Sequence, residues 1–170
     1  MKSFFQEGAA EARNVGVIVA GFERRGIPVE TEVEVMMHGL SGRIDVVADF
    51  DGHVYGWEVK KYELGGPRLL ADGIAQAASY AKAKVCSGRW FGRTFDFVFV
   101  GPAPNEEVQG YCFVHAEMLS RYTAPQGVGI FDQRMGTYAF GQPAIRFDSA
   151  GYRFVQNFNH VRKHRAVFSR

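Results

Sequence analysis

The residues with the types and spacing to do chemistry lie in one stretch, Gly42 to Lys60. Asp45, Glu58 and Lys60 fall on two runs rich in Val, Ile, Phe, Tyr and Trp that flank Asp51-Gly52. Asp-Gly is a preferred two-residue hairpin turn because both central positions take positive φ. With that turn, Phe50 faces His53, and counting back pair by pair sets Asp45 opposite Glu58 and Arg43 opposite Lys60. Side chains alternate faces along a strand, so Lys60 shares the face of Glu58. Two carboxylates directly opposite each other repel and weaken a sheet, so stability alone does not favour this pair. A divalent cation between them reverses the sign. Magnesium takes a few carboxylate oxygens and keeps several waters, and such a site activates water against a phosphodiester. The lysine beyond Glu58 supplies a fixed positive charge for the attacking water or the developing phosphorane.

Asp45, followed by Glu58-Val59-Lys60 at the end of the next strand, resembles the PD-(D/E)xK nuclease superfamily, also called restriction-endonuclease-like. The resemblance implies a catalytic metal held by Asp45, Glu58 and the Val59 carbonyl, with Lys60 assisting the nucleophile. Ile44 stands where the family's name has proline, a departure many members share. The superfamily often carries an acid on its first helix that reaches the metal or its water shell, and Glu11 is the candidate here. Gln76 and Tyr80 are four residues apart and share a helix face. They resemble the Gln-x-x-x-Tyr motif of RecB-type members, which lies beside the active site and the DNA. Without that resemblance they read as an exposed amide and a half-buried phenol.

Several elements must position these groups. A helix over residues 3–25, closed by Gly26 and Pro28, carries the stripe Phe4, Gly8, Glu11, Val15, Ile18 and Phe22. Glu11 sits inside that apolar stripe, where a glutamate is ordinarily snorkelling or locally paired. Residues 27–37 form a strand in which Val29, Thr31, Val33 and Val35 alternate with a solvated row of Glu30, Glu32 and Glu34. Glu34 is a reserve metal ligand should the register differ. His38, with no partner at ligand spacing, is a turn residue. Past Gly65-Gly66-Pro67 a second helix runs to about residue 86 on the core stripe Leu70, Ile74, Ala77, Ala81 and Val85, with Gln76 and Tyr80 on a face well away from it. Residues 94–100 are a nearly continuous apolar strand, as expected of a buried strand after a right-handed β–α–β crossover. Residues 111–115 and 127–131 are further strand candidates, divided by a short helix near 116–121. Residues 144–147 are looser, with a turn at 149–151. From Tyr152 a basic aromatic tail follows, read as a frayed helix or, if the nuclease resemblance holds, as a nucleic-acid contact.

The expected fold is α/β in a single domain: a mixed central sheet flanked by helices, with an α-β-β-β-α-β core over residues 3–100 and extra C-terminal strands over 101–170. That order of elements is the superfamily's common core. Hydrophobic content of 46% and charged content of 22% are ordinary for a globular chain, and a net charge of +2 is too small to imply a nucleic-acid partner by itself. Cys86 and Cys112 lack metal-ligand or redox spacing, which suits reduced thiols in the cytoplasm. No run is long and apolar enough to span a membrane. The resemblance implies a Mg2+-dependent nuclease, with Mn2+ able to substitute, acting on DNA; RNA and a homodimer are left open. The alternative is a catalytically inactive nucleic-acid-binding or interaction module on the same fold. A small-molecule metallohydrolase would need His and Cys clusters that this sequence lacks.

Overall fold

Helix α1 (Phe4–Glu23) ends where Gly26 takes φ +66°. The Gly26 N–H donates to the Glu23 carbonyl and the Ile27 N–H to the Phe22 carbonyl, the bond pair of a Schellman termination. This computed structural model describes residues 4–24, 26–50, 52–60, 66–101, 122–123, 125–132, 136–140, 144–148 and 151–155. After α1 come the antiparallel strands β1 (Val29–Met37), β2 (Leu40–Phe50) and β3 (His53–Val59). The hairpin register is the expected one, with Phe50 opposite His53 and Val46 opposite Trp57. Asp49 Oδ1 fastens the turn by accepting the Gly52 N–H at 3.0 Å.

Helix α2 (Gly66–Ala81) stops five residues short of the expected end. Residues 84 and 85 have an alternative: as β4 (Lys84–Val85) they pair with Met36 and Val35 on the open edge of β1. Val85 is therefore a strand core residue and not the last of a helical stripe. The apolar run near 94–100 becomes β5 (Phe97–Gly101), parallel to β3 as a crossover requires. It starts late because Asp96 Oδ2 takes the Val54 N–H at 2.7 Å, a side-chain substitute for the ladder. Strand β6 (Gly127–Asp132) is parallel to β5, and β7 (Gly136–Phe140), β8 (Ala144–Asp148) and β9 (Gly151–Val155) follow in antiparallel order. The sequence reading missed β7 altogether. It also placed in a tail the residues of β9, which close a hairpin on β8 and form the sheet edge. The strand and helix expected over 111–121 lie outside the described residues, as does the rest of the tail.

The nine strands among the described residues join one mixed sheet in the order β4-β1-β2-β3-β5-β6-β7-β8-β9. The α/β class and the α-β-β-β-α-β core stand as expected. Two apolar layers cover its central strands. On one face Val46, Ala48, Tyr55, Trp57, Val59, Phe97 and Phe99 meet Val15, Ile18, Val19 and Phe22 of α1. On the other, Val33, Val35, Ile44, Val47, Val54, Val98 and Val100 meet Ile74, Ala77 and Ala81 of α2.

One departure from simple alternation matters for the site. The β1–β2 ladder pairs Thr31 with Val46 and then Val33 with Ile44, passing over Glu32 and Asp45. Glu32 has φ +54°, a left-handed conformation rare for a residue with a side chain. Across this step both strands exchange faces. Val29 and Val46 pack on the α1 layer, whereas Val33, Val35 and Ile44 pack on the α2 layer. The expected unbroken alternation from Val29 to Val35 is thereby corrected.

Candidate active site

Asp45 sits at the face exchange on β2, and Glu58 is the penultimate residue of β3, followed by the buried Val59. The ladder between the strands runs to Val46–Trp57, one pair short of Asp45 and Glu58, while β3 stays paired with β5 through Val59–Gly101. Beyond that last pair the Asp45 carboxylate replaces the ladder: its Oδ2 accepts the Val59 N–H at 2.6 Å. Asp45 is half-buried, and Glu58 is buried at 4% exposure. A carboxylate removed from water to that degree requires a charged or hydrogen-bonding partner. Lys60 provides it, with Nζ 2.5 Å from Glu58 Oε1.

The same ammonium donates to Gln76 Oε1 at 2.8 Å. Gln76 Nε2 donates to the Tyr80 hydroxyl at 2.9 Å, and that hydroxyl donates to the Arg43 carbonyl at 3.0 Å. A chain of hydrogen bonds thus runs from the end of β3, along one flank of α2, to the backbone of β2 two residues before Asp45. Spacing explains it: positions four apart on α2 stack one above the other, and β3 delivers Glu58 and Lys60 to the same sheet face. Gln76 and Tyr80 do not stand well away from the buried stripe, as the helical count had suggested; both are half-buried, and Tyr80 packs against the α2-side core. Gly42 makes this approach possible, since a Cβ there would lie 3.0 Å from Tyr80 Cε1.

The repulsion expected of two facing carboxylates is therefore offset within the chain, Asp45 by a backbone amide and Glu58 by an ammonium. Asp45 meets the backbone of Val59, the residue after Glu58, and two carboxylates with a carbonyl are hard oxygen donors of the kind that Mg2+ takes. Among the described residues, no three His, Cys, Asp or Glu side chains group closely enough to hold a metal ion. Glu11 belongs to α1, but its side chain lies outside the described residues, so its place at the site stays an expectation. Glu34 is exposed and paired in the ladder with Arg43 beyond the face exchange, and His38 is an exposed turn residue with φ +49°.

Two participants escaped the sequence reading. The Arg43 carbonyl is a backbone group with no compositional signal. The left-handed Glu32 looks like any glutamate of an alternating strand. Among the described residues no helix is long and apolar enough to cross a membrane. No protein-family model matches the chain, and no curated protein matches it.

Proposed function

We propose that the chain is a PD-(D/E)xK-type nuclease, possessing RecB-type features, that hydrolyses phosphodiester bonds of DNA with Mg2+, or Mn2+ in its place. The observation that carries this reading is the Glu58–Lys60–Gln76–Tyr80 chain of contacts beside Asp45. A surface salt bridge needs none of these constraints. A site that must hold an ammonium still beside two carboxylates needs all of them.

In this reading Asp45, Glu58 and the Val59 carbonyl hold the ion, with Glu11 reaching its water shell. The bound ion would lower the pKa of a water and offset charge on the scissile phosphate. Lys60 orients the attacking water and stabilises charge building on the phosphoryl oxygens. Gln76 fixes the Lys60 ammonium through its carbonyl, and Tyr80 fixes Gln76 in turn. The amide and phenol edges of Gln76 and Tyr80 border the path of the substrate strand. RNA remains a substrate class for the assay to separate. The protein would be cytoplasmic and act in DNA repair or recombination.

A second reading, an inactive nucleic-acid-binding or interaction module on this fold, is favoured by one observation. Donors of the chain itself engage an oxygen of each carboxylate. The test is a panel of supercoiled, linear and single-stranded circular DNA, with an RNA arm, in Mg2+, Mn2+ or chelator. Metal-dependent cleavage supports the nuclease; binding without cleavage in either metal supports the module.

A further inference from the structure

We propose that Glu32 is a positioning residue, whose left-handed backbone turns the Asp45 carboxylate out of the strand alternation and onto the end of β3. The inference rests on the nuclease reading only for the purpose of that placement, not for the placement itself. Three features mark this step of the sheet. Glu32 has φ +54° in the middle of a strand, the ladder passes over Glu32 and Asp45, and the apolar residues of both strands change faces there. Unbroken alternation would commit Asp45 wholly to one apolar layer. With the exchange, its Oδ2 instead meets the Val59 N–H at 2.6 Å, beside Glu58.

The Glu32 carboxylate is not what matters. Its side chain is 61% exposed, and its 3.2 Å contact with Arg43 Nη1 is a surface pair of small worth. The backbone conformation is the functional feature. On the far side of the exchange the β2 segment is held to α2, because the Tyr80 hydroxyl bonds the Arg43 carbonyl and Gly42 lets the ring approach. Tyr80 thus holds the backbone of β2 at Gly42 and Arg43, just before the exchange at Asp45.

Backbone chemistry gives the test. Glycine adopts positive φ freely, whereas a β-branched residue there is a strong outlier. Amide hydrogen exchange of Val59 in the full-length, metal-free chain reads the Asp45 contact without reference to any activity. Asp45→Ala is the control and should lower Val59 protection by about tenfold or more, the loss of a hydrogen bond to a charged acceptor. Glu32→Gly should stay within about threefold of the unaltered chain, and Glu32→Val should lose as much protection as the control. A Glu32→Gly chain as exposed at Val59 as Asp45→Ala would overturn the proposal, and so would a folded Glu32→Val chain with full protection. If Glu32→Val does not fold, Glu32→Asn and Glu32→Ala take its place: asparagine tolerates positive φ and should keep Val59 protection, whereas alanine should lose it, and equal protection in the two would overturn the proposal. Calorimetric titration with Mg2+ adds the functional arm: affinity is kept in Glu32→Gly and falls about tenfold in Glu32→Val wherever Asp45 is a ligand. An unaltered chain that binds no Mg2+ would defeat the nuclease reading, while the exchange result would still decide the role of Glu32.

Discussion

Replacing Lys60 by alanine should separate structure, metal binding and turnover in one variant. The Lys60 ammonium lies 2.5 Å from Glu58 Oε1, with side-chain exposures of 28% for Lys60 and 5% for Glu58. Breaking a fully buried ion pair from one side costs about 3–5 kcal/mol, because the remaining charge is stranded. Lys60 is more than a quarter exposed, so water can enter the vacated space, and a cost of about 1–3 kcal/mol is expected. The metal-free variant should therefore melt below the unaltered protein. A divalent cation at Glu58 supplies the missing positive charge, so Mg2+ affinity should be kept or tightened. Saturating Mg2+ should raise both melting temperatures, a ligand at 100 times its Kd adding about 2.7 kcal/mol, and should narrow the gap only by as much as the variant binds the ion more tightly. Single-turnover cleavage should fall by about 100-fold or more, the scale of removing one preorganised stabiliser of transition-state charge. Thermal melts with and without Mg2+, calorimetry and single-turnover kinetics provide the readouts. Loss of Mg2+ affinity together with activity would refute this role for Lys60. Unchanged metal-free stability would refute the claim that Glu58 depends on it.

Gln76→Ala and Tyr80→Phe should keep the fold and Mg2+ affinity while cleavage drops about 10-fold or more, since each removes links that steady the Lys60 ammonium and border the substrate. Metal affinity falling with activity in both variants would show that they act on the ion instead. Gly56→Ala should act oppositely: its Cβ would run into Ile44 Cδ1 and the Phe95 ring, costing about 1–3 kcal/mol in a denaturant melt and leaving Mg2+ affinity intact.

The hairpin carried most of what was legible in the sequence. Asp51-Gly52 fixes the register from Phe50–His53 to Val46–Trp57, which carries Asp45 and Glu58 to the same end of the hairpin and sets Lys60 on the face of Glu58. The Gln76–Tyr80 spacing likewise predicts two side chains on one helical flank, although not that the flank borders the core. The lower-signal features depend on neighbours distant in the chain. Helix α2 and β4 divide at residues 82–84 because the edge of β1 is available, and nothing local records that edge. Strand β7 is short and bracketed by glycine and proline signals, so its pairing partners β6 and β8 define it more than its own composition. The Glu32 exchange is invisible to pattern counting, because Val29, Thr31, Val33 and Val35 keep perfect period-two spacing while the backbone turns over beneath them. The repulsion expected between Asp45 and Glu58 does not make removal of Asp45 a stabilising change. Its loss would strip the Val59 N–H of an acceptor, at a cost of about 1–3 kcal/mol.

The most direct test of the central claim is cleavage by purified Asp45→Ala alongside the unaltered protein, on supercoiled, linear and single-stranded circular DNA with Mg2+, Mn2+ or chelator. The account predicts Mg2+-dependent cleavage of at least one substrate by the unaltered chain, abolished by chelator and by Asp45→Ala while the variant stays folded. Undiminished cleavage by a folded Asp45→Ala protein, or none by the unaltered chain in either Mg2+ or Mn2+, would contradict it.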